Sequence, residues 1–363
     1  MKIGYVIRSL EDSGVTVYVL RLADAMRRRG HDVFLVSDGG RYEQDVAALG
    51  LRRFALPLCR GPLVSYLAAR RLAAIVRDER PDILHANWRR AQLACHLAGR
   101  KTGVPFVSTL HLVGIPSGWL YRRLTHWGAR VIAPCSEARD YLRDTFAVPE
   151  SRIRLIYHGV DPARWPPPSA EQRLAARRGF GLDDTAAVMV CVARLEAIKG
   201  HELLLRAMAA ARRQRPNLKL LLVGDGVLRA ELERRAADLG LSEAVRFLGY
   251  TEPQTPLAAA DLFVLASHRE SFGQAPVEAM LMGLPVLRTA SAGATDQIVD
   301  GQTGRVVPLG DEAALAGAMV DFASADDRWR AMGSSARQRA LELFTLDVMA
   351  ARVEQVYREV VAG

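Results

Sequence analysis

No stretch of this chain is apolar for long enough to cross a bilayer. Its apolar runs, such as Ala186 to Ala193 and Leu218 to Val223 with Lys219 inside it, fall well short of the ~18 residues that a spanning helix needs. Cysteine is scarce. Cys59, Cys95, Cys135 and Cys191 lie dozens of residues apart with no CxxC pair, which removes the usual zinc and dithiol sites and leaves buried free thiols as the expectation. No GxxxxGK[ST] loop occurs, and Gly224-Asp225-Gly226 fails the GxGxxG fingerprint because Arg229 stands where the third glycine belongs. Hydride transfer and P-loop chemistry therefore lose their usual support. Met1 to Arg8 lacks the long apolar core and small-residue cleavage site of a secretory signal, so it reads as the first strand of a cytoplasmic protein.

What is present indicates two globular domains. At ~150 residues per domain, a chain of 363 residues holds two cores, and 50% hydrophobic with 25% charged residues excludes disorder and fibres. The net charge of +9 is uneven: residues 1 to 160 carry 25 basic against 14 acidic side chains, or +11, and the remainder carry 24 against 26. The first half alone thus suits an anionic partner, whether membrane surface, phosphorylated substrate or nucleic acid.

Short apolar runs alternate with helical patterns throughout. Lys2 to Ile7 is followed by a helix over Val17 to Arg29 that Gly30 stops, and Asp32 to Ser37 begins a second strand. Further strands are expected at Ile83 to His85, Phe106 to Thr109, Val131 to Ala133 and Arg154 to Ile156. Trp165-Pro166-Pro167-Pro168-Ser169 interrupts the rhythm and reads as a linker. Beyond it, strands are expected at Val188 to Ala193, Leu218 to Val223, Val245 to Leu248, Leu262 to Ala266 and Pro285 to Arg288, and an amphipathic helix over Asp347 to Val361 closes the chain. Such βαβ alternation implies two α/β domains with parallel sheets covered on both faces.

In sheets of this kind ligands bind beyond the carboxyl ends of the strands. After Val188 to Ala193, the loop 194–200 places Arg194 and Lys199 five residues apart, a fork and a point charge that suit a diphosphate. Gly226 reads as a tight strand-to-helix turn. After Leu262 to Ala266, Gly273 allows close backbone approach, Pro276 fits the first turn of a helix, Glu270 lies in the loop and Glu278 one turn into the helix. Carboxylates so placed suit sugar hydroxyls. Solvated surface cations and ordinary helix capping are the bland alternatives for these pairs.

Taken together, Val192-Ala193-Arg194-Leu195 with Lys199-Gly200, Leu222 to Gly226, Val245 to Gly249 and the E-x7-E segment Glu270 to Glu278 resemble the retaining glycosyltransferases of family 4. In the first half Gly14, His31, Pro81 to His85, Ser108 to His111 and His158 to Asp161 match as well, so the resemblance covers nearly the whole chain. It implies the GT-B architecture, two Rossmann-like domains facing across a cleft: an acceptor-side domain of residues 1–164 plus the helix 347–363, and a nucleotide-sugar domain of residues 165–346. It further implies that Arg194 and Lys199 hold the donor diphosphate, with the Gly14 loop opposite and Gly224 among the binding positions. Glu270 with the backbone of Phe272 and Gly273 would bind the transferred sugar, Glu278 the ribose, and Leu248 and Tyr250 would border the base. His111 would lie beside the sugar and acceptor, or else be a buried structural histidine. Two departures stand out. Gly293-Ala294-Thr295-Asp296-Gln297 has Ala294 and Gln297 where the family commonly has glycine and glutamate, and Ser13 replaces a second glycine.

The resemblance implies front-face transfer from a UDP-sugar in preference to a GDP-sugar, onto a saccharide or lipid-linked acceptor of cell-surface polysaccharide, lipopolysaccharide or glycolipid synthesis. No cofactor is expected beyond the nucleotide sugar, which is a substrate. No metal is expected either, since Asp-x-Asp, the metal-holding pair of the other major glycosyltransferase fold, is absent. Nucleic acid is not an expected partner. Competing readings are a two-domain sugar phosphorylase or epimerase, and a non-enzymatic basic membrane or nucleic-acid-binding protein. Arg52, Arg53 and Arg60 with the segments Leu63 to Leu72 and Trp119 to Leu124 interleave arginines and apolar groups, which suggests peripheral binding to an anionic membrane.

Overall fold

Apolar runs too short for stable isolated helices become parallel strands once helices cover both of their faces. The computed structural model describes residues 1–11, 14–58, 62–324 and 327–363. The expectations for Ser13, Cys59 and Arg60, and for the side chains of residues 62–66 and Leu120, lie outside the described residues. The chain divides into two units, Met1–Gly159 with Leu346–Gly363, and Val160–Thr345.

In the first unit, β1 (Lys2–Ile7), β2 (Asp32–Ser37), β3 (Arg52–Ala55), β4 (Ile83–Asn87), β5 (Phe106–Thr109), β6 (Arg130–Ala133) and β7 (Ile153–Leu155) form one parallel sheet in the order β3-β2-β1-β4-β5-β6-β7. Tyr5 on β1 pairs with Leu35 on β2 and His85 on β4. The helix Gly14–Arg28 and the terminal helix Leu346–Ala362 share one core, in which Tyr18, Leu22 and Met26 join Met349, Val353 and Val356. Gly30 adopts φ +84° and ends the former helix as expected.

The second unit repeats the plan with β8 (Ala187–Val192), β9 (Leu218–Val223), β10 (Val245–Gly249), β11 (Leu262–Leu265), β12 (Val286–Thr289) and β13 (Gly304–Val307), ordered β10-β9-β8-β11-β12-β13 and parallel throughout. In each unit the order reverses at the first strand, between β1 and β4 and between β8 and β11, which opens a ligand crevice at the carboxyl ends of those pairs.

Three features depart from the sequence reading. The proline run is not a linker: Trp165 is buried, and Ser169 caps the helix Ala170–Gly179, its Oγ accepting from Gln172 N at 3.1 Å while Gln172 Oε1 accepts from Ser169 N at 2.8 Å. The division falls earlier, at Val160, because its N–H bonds Phe344 O at 2.9 Å and ties it to the second unit. Strands β3 and β13 are extra. Both are short edge strands, and β3 is partly exposed and opens on two arginines, so neither carries the buried apolar run that marks a strand in sequence. Arg52 pairs there with Asp32 and Glu79, and Arg53 with Glu43.

Cys95, Cys135 and Cys191 are buried and held in no disulfide, and burial pushes the Cys191 thiol up to about 12. A chain of buried hydrogen bonds crosses the first unit: Tyr357 Oη reaches Tyr5 Oη at 3.1 Å and His85 Nδ1 at 2.6 Å, and His85 Nε2 reaches Thr109 Oγ1 at 2.8 Å. Burial lowers His85 to about 3, so it is neutral there.

Glu354, paired with Arg358 on its own helix at 2.7 Å, ties the terminal helix to Arg29 at 2.6 Å and His31 at 3.2 Å, just past the end of the first helix. Burial would raise its pKa, but the hydrogen bonds from Arg358 and Arg29 outweigh that and draw it to about 2. A depressed folded pKa adds stability above the unfolded value, and that stability is lost as pH falls toward the folded one. Glu354→Gln should therefore destabilise the protein by about 1–3 kcal/mol at neutral pH, with the penalty shrinking below about pH 4.5. Denaturant melts of both proteins at several pH values check this, and a penalty independent of pH would contradict it.

Candidate active site

The crevice of the second unit is built where the chain leaves β8 and β11. After β8 a short turn Ala197–Lys199 leads through Gly200, at φ +69°, into the helix His201–Arg212. A Cβ on Gly200 would stand 2.0 Å from Ala266 O, so this glycine lets the two loops touch backbone to backbone. His268 N donates to Ile198 O at 2.9 Å and completes the seam. Lys199 Nζ then meets Glu270 Oε1 at 2.5 Å, with side-chain exposures of only 16% and 11%, and Ser267 Oγ lies 3.3 Å from the same carboxylate oxygen. The family resemblance gives Lys199 and Glu270 separate duties. The fold brings them together as one partly buried ion pair. Arg194 is over half exposed and pairs with Glu196 at 2.6 Å.

Glu278 is buried on the helix Ala275–Leu281, whose first turn carries Pro276. Ahead of that helix Gly273 adopts φ +80°, and Phe272 is fully buried with its ring 5.4 Å from that of Phe344. Gln297 explains one departure from the family pattern: its Nε2 donates to Phe272 O at 2.9 Å and to Gly273 O at 2.8 Å. Ala294 is buried in the one-turn helix Ala294–Gln297, and no positive φ requires glycine there. Ser267, Arg288 and Gln297 were not among the expected functional residues. A lone arginine inside a strand gave no periodic signal of its use.

Gly224 and Gly226 serve the packing of strand ends. Cβ atoms there would stand 2.1 Å from Ala193 O and 2.5 Å from Leu195 O, and Gly224 N bonds Gly249 O at 2.8 Å. Gly226 has no positive φ, so close backbone approach rather than turn geometry explains it. Leu248 is half-buried at the end of β10, and Tyr250 just beyond is 68% exposed.

The first unit carries the other expected residues. Gly14 is exposed at the start of its helix, and no atom lies within 4 Å of a Cβ placed there, so neither crowding nor backbone strain requires glycine at this position. His111 follows β5. Its Nε2 meets Asn87 Oδ1 at 2.8 Å, while Asn87 Nδ2 donates to His85 O at 3.3 Å. With the amide so oriented, His111 must donate from Nε2, which leaves Nδ1 as an acceptor. Burial, then His158 and His85, hold His111 well below its ordinary pKa. Beside it a cavity of about 200 Å³ is lined by Trp88, Arg89, Gln92, Leu112 and Ile115 among others. Trp88 holds φ +87° and ψ 149°, a conformation normally left to glycine.

A cavity of about 910 Å³ lies at the opposite, amino ends of the strands in the second unit. Its arginines are already engaged, since Arg173 and Arg177 both pair with Asp261, and none of the expected site residues lines it.

Residues 13–164 match the family described as Glycosyltransferase Family 4, and residues 172–339 match Glycosyl transferases group 1. A D-inositol 3-phosphate glycosyltransferase of Streptomyces scabiei is 26% identical over 95% of this chain and 86% of its own length. A glycogen synthase of Mycobacterium tuberculosis is 33% identical over 77% of this chain and 69% of its own. Among solved structures, HepE of Anabaena in complex with UDP and glucose superposes with a TM-score of 0.86 at 22% identity, over 99% of each chain.

Because Lys199 and Glu270 form one unit, their contributions to stability should not add. Glu270→Gln and Lys199→Ala should each destabilise, and the double variant should cost less than their sum by about 1–2 kcal/mol. A double-mutant cycle by denaturant unfolding measures this, and strict additivity would show that the pair does not interact in solution.

Proposed function

Since the chain belongs to the glycosyltransferases of family 4 and group 1, we propose that it transfers a sugar, with retention, from a UDP-sugar in preference to a GDP-sugar to a saccharide or lipid-linked acceptor. The observation that carries this reading is the Lys199–Glu270 pair at the strand-order reversal of the second unit, with Arg194 beside it in sequence. Such a crevice suits a donor with an anionic diphosphate and a sugar that gains positive charge as it leaves. The UDP found with the Anabaena protein favours the uracil nucleotide.

In the proposed reaction the bond between the anomeric carbon and the diphosphate oxygen breaks. The bond to the acceptor oxygen forms on the same face, and the acceptor proton passes to a phosphate oxygen. Arg194 and Lys199 stabilise the departing diphosphate, and the Glu270 carboxylate balances the oxocarbenium charge. Phe272 and Gly273 present backbone to the sugar, Glu278 holds the ribose, and Leu248 and Tyr250 border the base. In the first unit the neutral Nδ1 of His111 accepts a hydroxyl hydrogen of the acceptor. Gly224 shapes the loop that carries Arg194, since its close approach to Ala193 O leaves no room for a side chain. Fixed cations take the place of a metal, so we propose metal-independent transfer with no cofactor.

A panel of nucleotide sugars in thermal-shift assays identifies the donor, and hydrolysis of the stabilising one then reads turnover. In EDTA the wild-type protein should keep its rate. Under the same conditions Glu270→Gln should lower the rate constant by ~100-fold with little change in nucleotide affinity, and Glu278→Gln should do the reverse. Equal effects of both variants on both parameters would overturn the division of roles.

We also propose that the first unit meets anionic lipid, which would bring a lipid-linked acceptor to it. No helix among the described residues is long and apolar enough to cross a membrane. On the helix Trp119–Leu124, however, Trp119 is 74% exposed, Tyr121 and Leu124 are exposed, and Arg123 and Arg89 lie 5.9 and 4.9 Å from the Trp119 and Tyr121 ring centres. Aromatic groups with arginines over them suit a lipid headgroup layer. Trp119→Ala should weaken sedimentation with anionic vesicles, and high salt should weaken it in the unaltered protein. Equal recovery on neutral and anionic vesicles would favour a soluble acceptor.

A further inference from the structure

Arg288 lies on β12 with no exposed surface, the largest side chain so buried in the described chain. A guanidinium in such a place is tolerated only where most of its donors are used. Here Nη1 donates to Phe272 O at 3.2 Å and also meets Gln297 Oε1, while Nη2 donates to Ser291 Oγ and Ala292 O, each at 3.3 Å. Gln297 is also fully buried, and its Nε2 donates to Phe272 O and Gly273 O. We propose that Arg288 and Gln297 are positioning residues that hold the two peptide planes after Phe272 and Gly273 in the orientation that sugar transfer requires.

The argument rests on peptide planarity and on the donor-site reading given above. In a trans peptide the carbonyl of one residue and the N–H of the next point in opposite directions. Anchoring Phe272 O and Gly273 O on the buried side therefore turns the N–H groups of Gly273 and Gln274 away from the Arg288–Gln297 pair, toward the side on which the sugar is proposed to bind. Gly273, at φ +80°, is a position where other backbone conformations are readily reached, so anchoring both carbonyls selects one of them. Glutamine is suited to this place because it accepts from Arg288 with its oxygen while donating to the loop with its nitrogen. A glutamate, common at this position in the family, could pair with Arg288 but would offer no donor to either carbonyl.

The test compares Gln297→Glu and Arg288→Lys with Glu270→Gln, using UDP-glucose hydrolysis as the turnover assay and UDP as the binding probe. Gln297→Glu keeps size and gains an ion pair with Arg288, so folding should survive while the rate constant falls at least ~10-fold and UDP affinity changes by less than ~3-fold. Arg288→Lys, which keeps the charge but shortens the fork, should give a smaller fall of the same kind and carries the test if Gln297→Glu does not fold. A loss of melting temperature with an unchanged rate constant per folded molecule would show a merely structural role and overturn the proposal. If Glu270→Gln slows hydrolysis and neither clamp variant does, the clamp alone is wrong. If Glu270→Gln also leaves hydrolysis unchanged, the donor-site reading falls and the clamp with it.

Discussion

The reversal of strand order between β8 and β11 is the constraint from which the site of the second unit follows. Two neighbouring parallel strands send their following helices to opposite faces of the sheet, so the loops after them diverge and leave a crevice. The chain closes the floor of that crevice with a backbone contact only glycine permits, Gly200 against Ala266 O, and its charge balance with Lys199 against Glu270. Because both side chains are mostly buried, neither charge is left without its counterpart, and a departing diphosphate would meet a cation already oriented by a carboxylate.

Buried polar groups do the remaining positioning in both units. In the first, Asn87 sets the tautomer of His111, and the Tyr357–His85–Thr109 chain carries the terminal helix into the same polar cluster. In the second, Arg288 and Gln297 brace the backbone that precedes the helix bearing Glu278. These groups lie in the interior, where hydrogen bonds are strong and an unmet one is costly, so each narrows the conformations open to its neighbours.

Much of the plan was legible in the chain. Strands buried on both faces are nearly continuous apolar runs, so β1, β2, β5 and β9 stood where composition placed them. Loops that follow such strands carry Arg194, Lys199, Glu270 and Glu278, whose residue types and spacing suit a charged, hydroxyl-rich ligand. The edge strands β3 and β13 escaped because exposed edges carry arginine and glycine in place of that apolar signature. The proline run misled for a related reason: three prolines preclude helix and sheet but do not say whether the segment packs, and Trp165 beside them is buried.

Sequence by itself determined the strand and helix alternation and the residue types at the strand ends, because both depend on neighbours close along the chain. Tertiary structure alone decided who meets whom across long separations. It joined Lys199 to Glu270, 71 residues on, and Tyr357 to His85 across 272. It also paired Arg52 with Asp32 and Glu79, and Arg53 with Glu43. A side chain's charge is written in its residue type, but the partner that neutralises it is set by the register of strands distant in sequence, and no local pattern records that register.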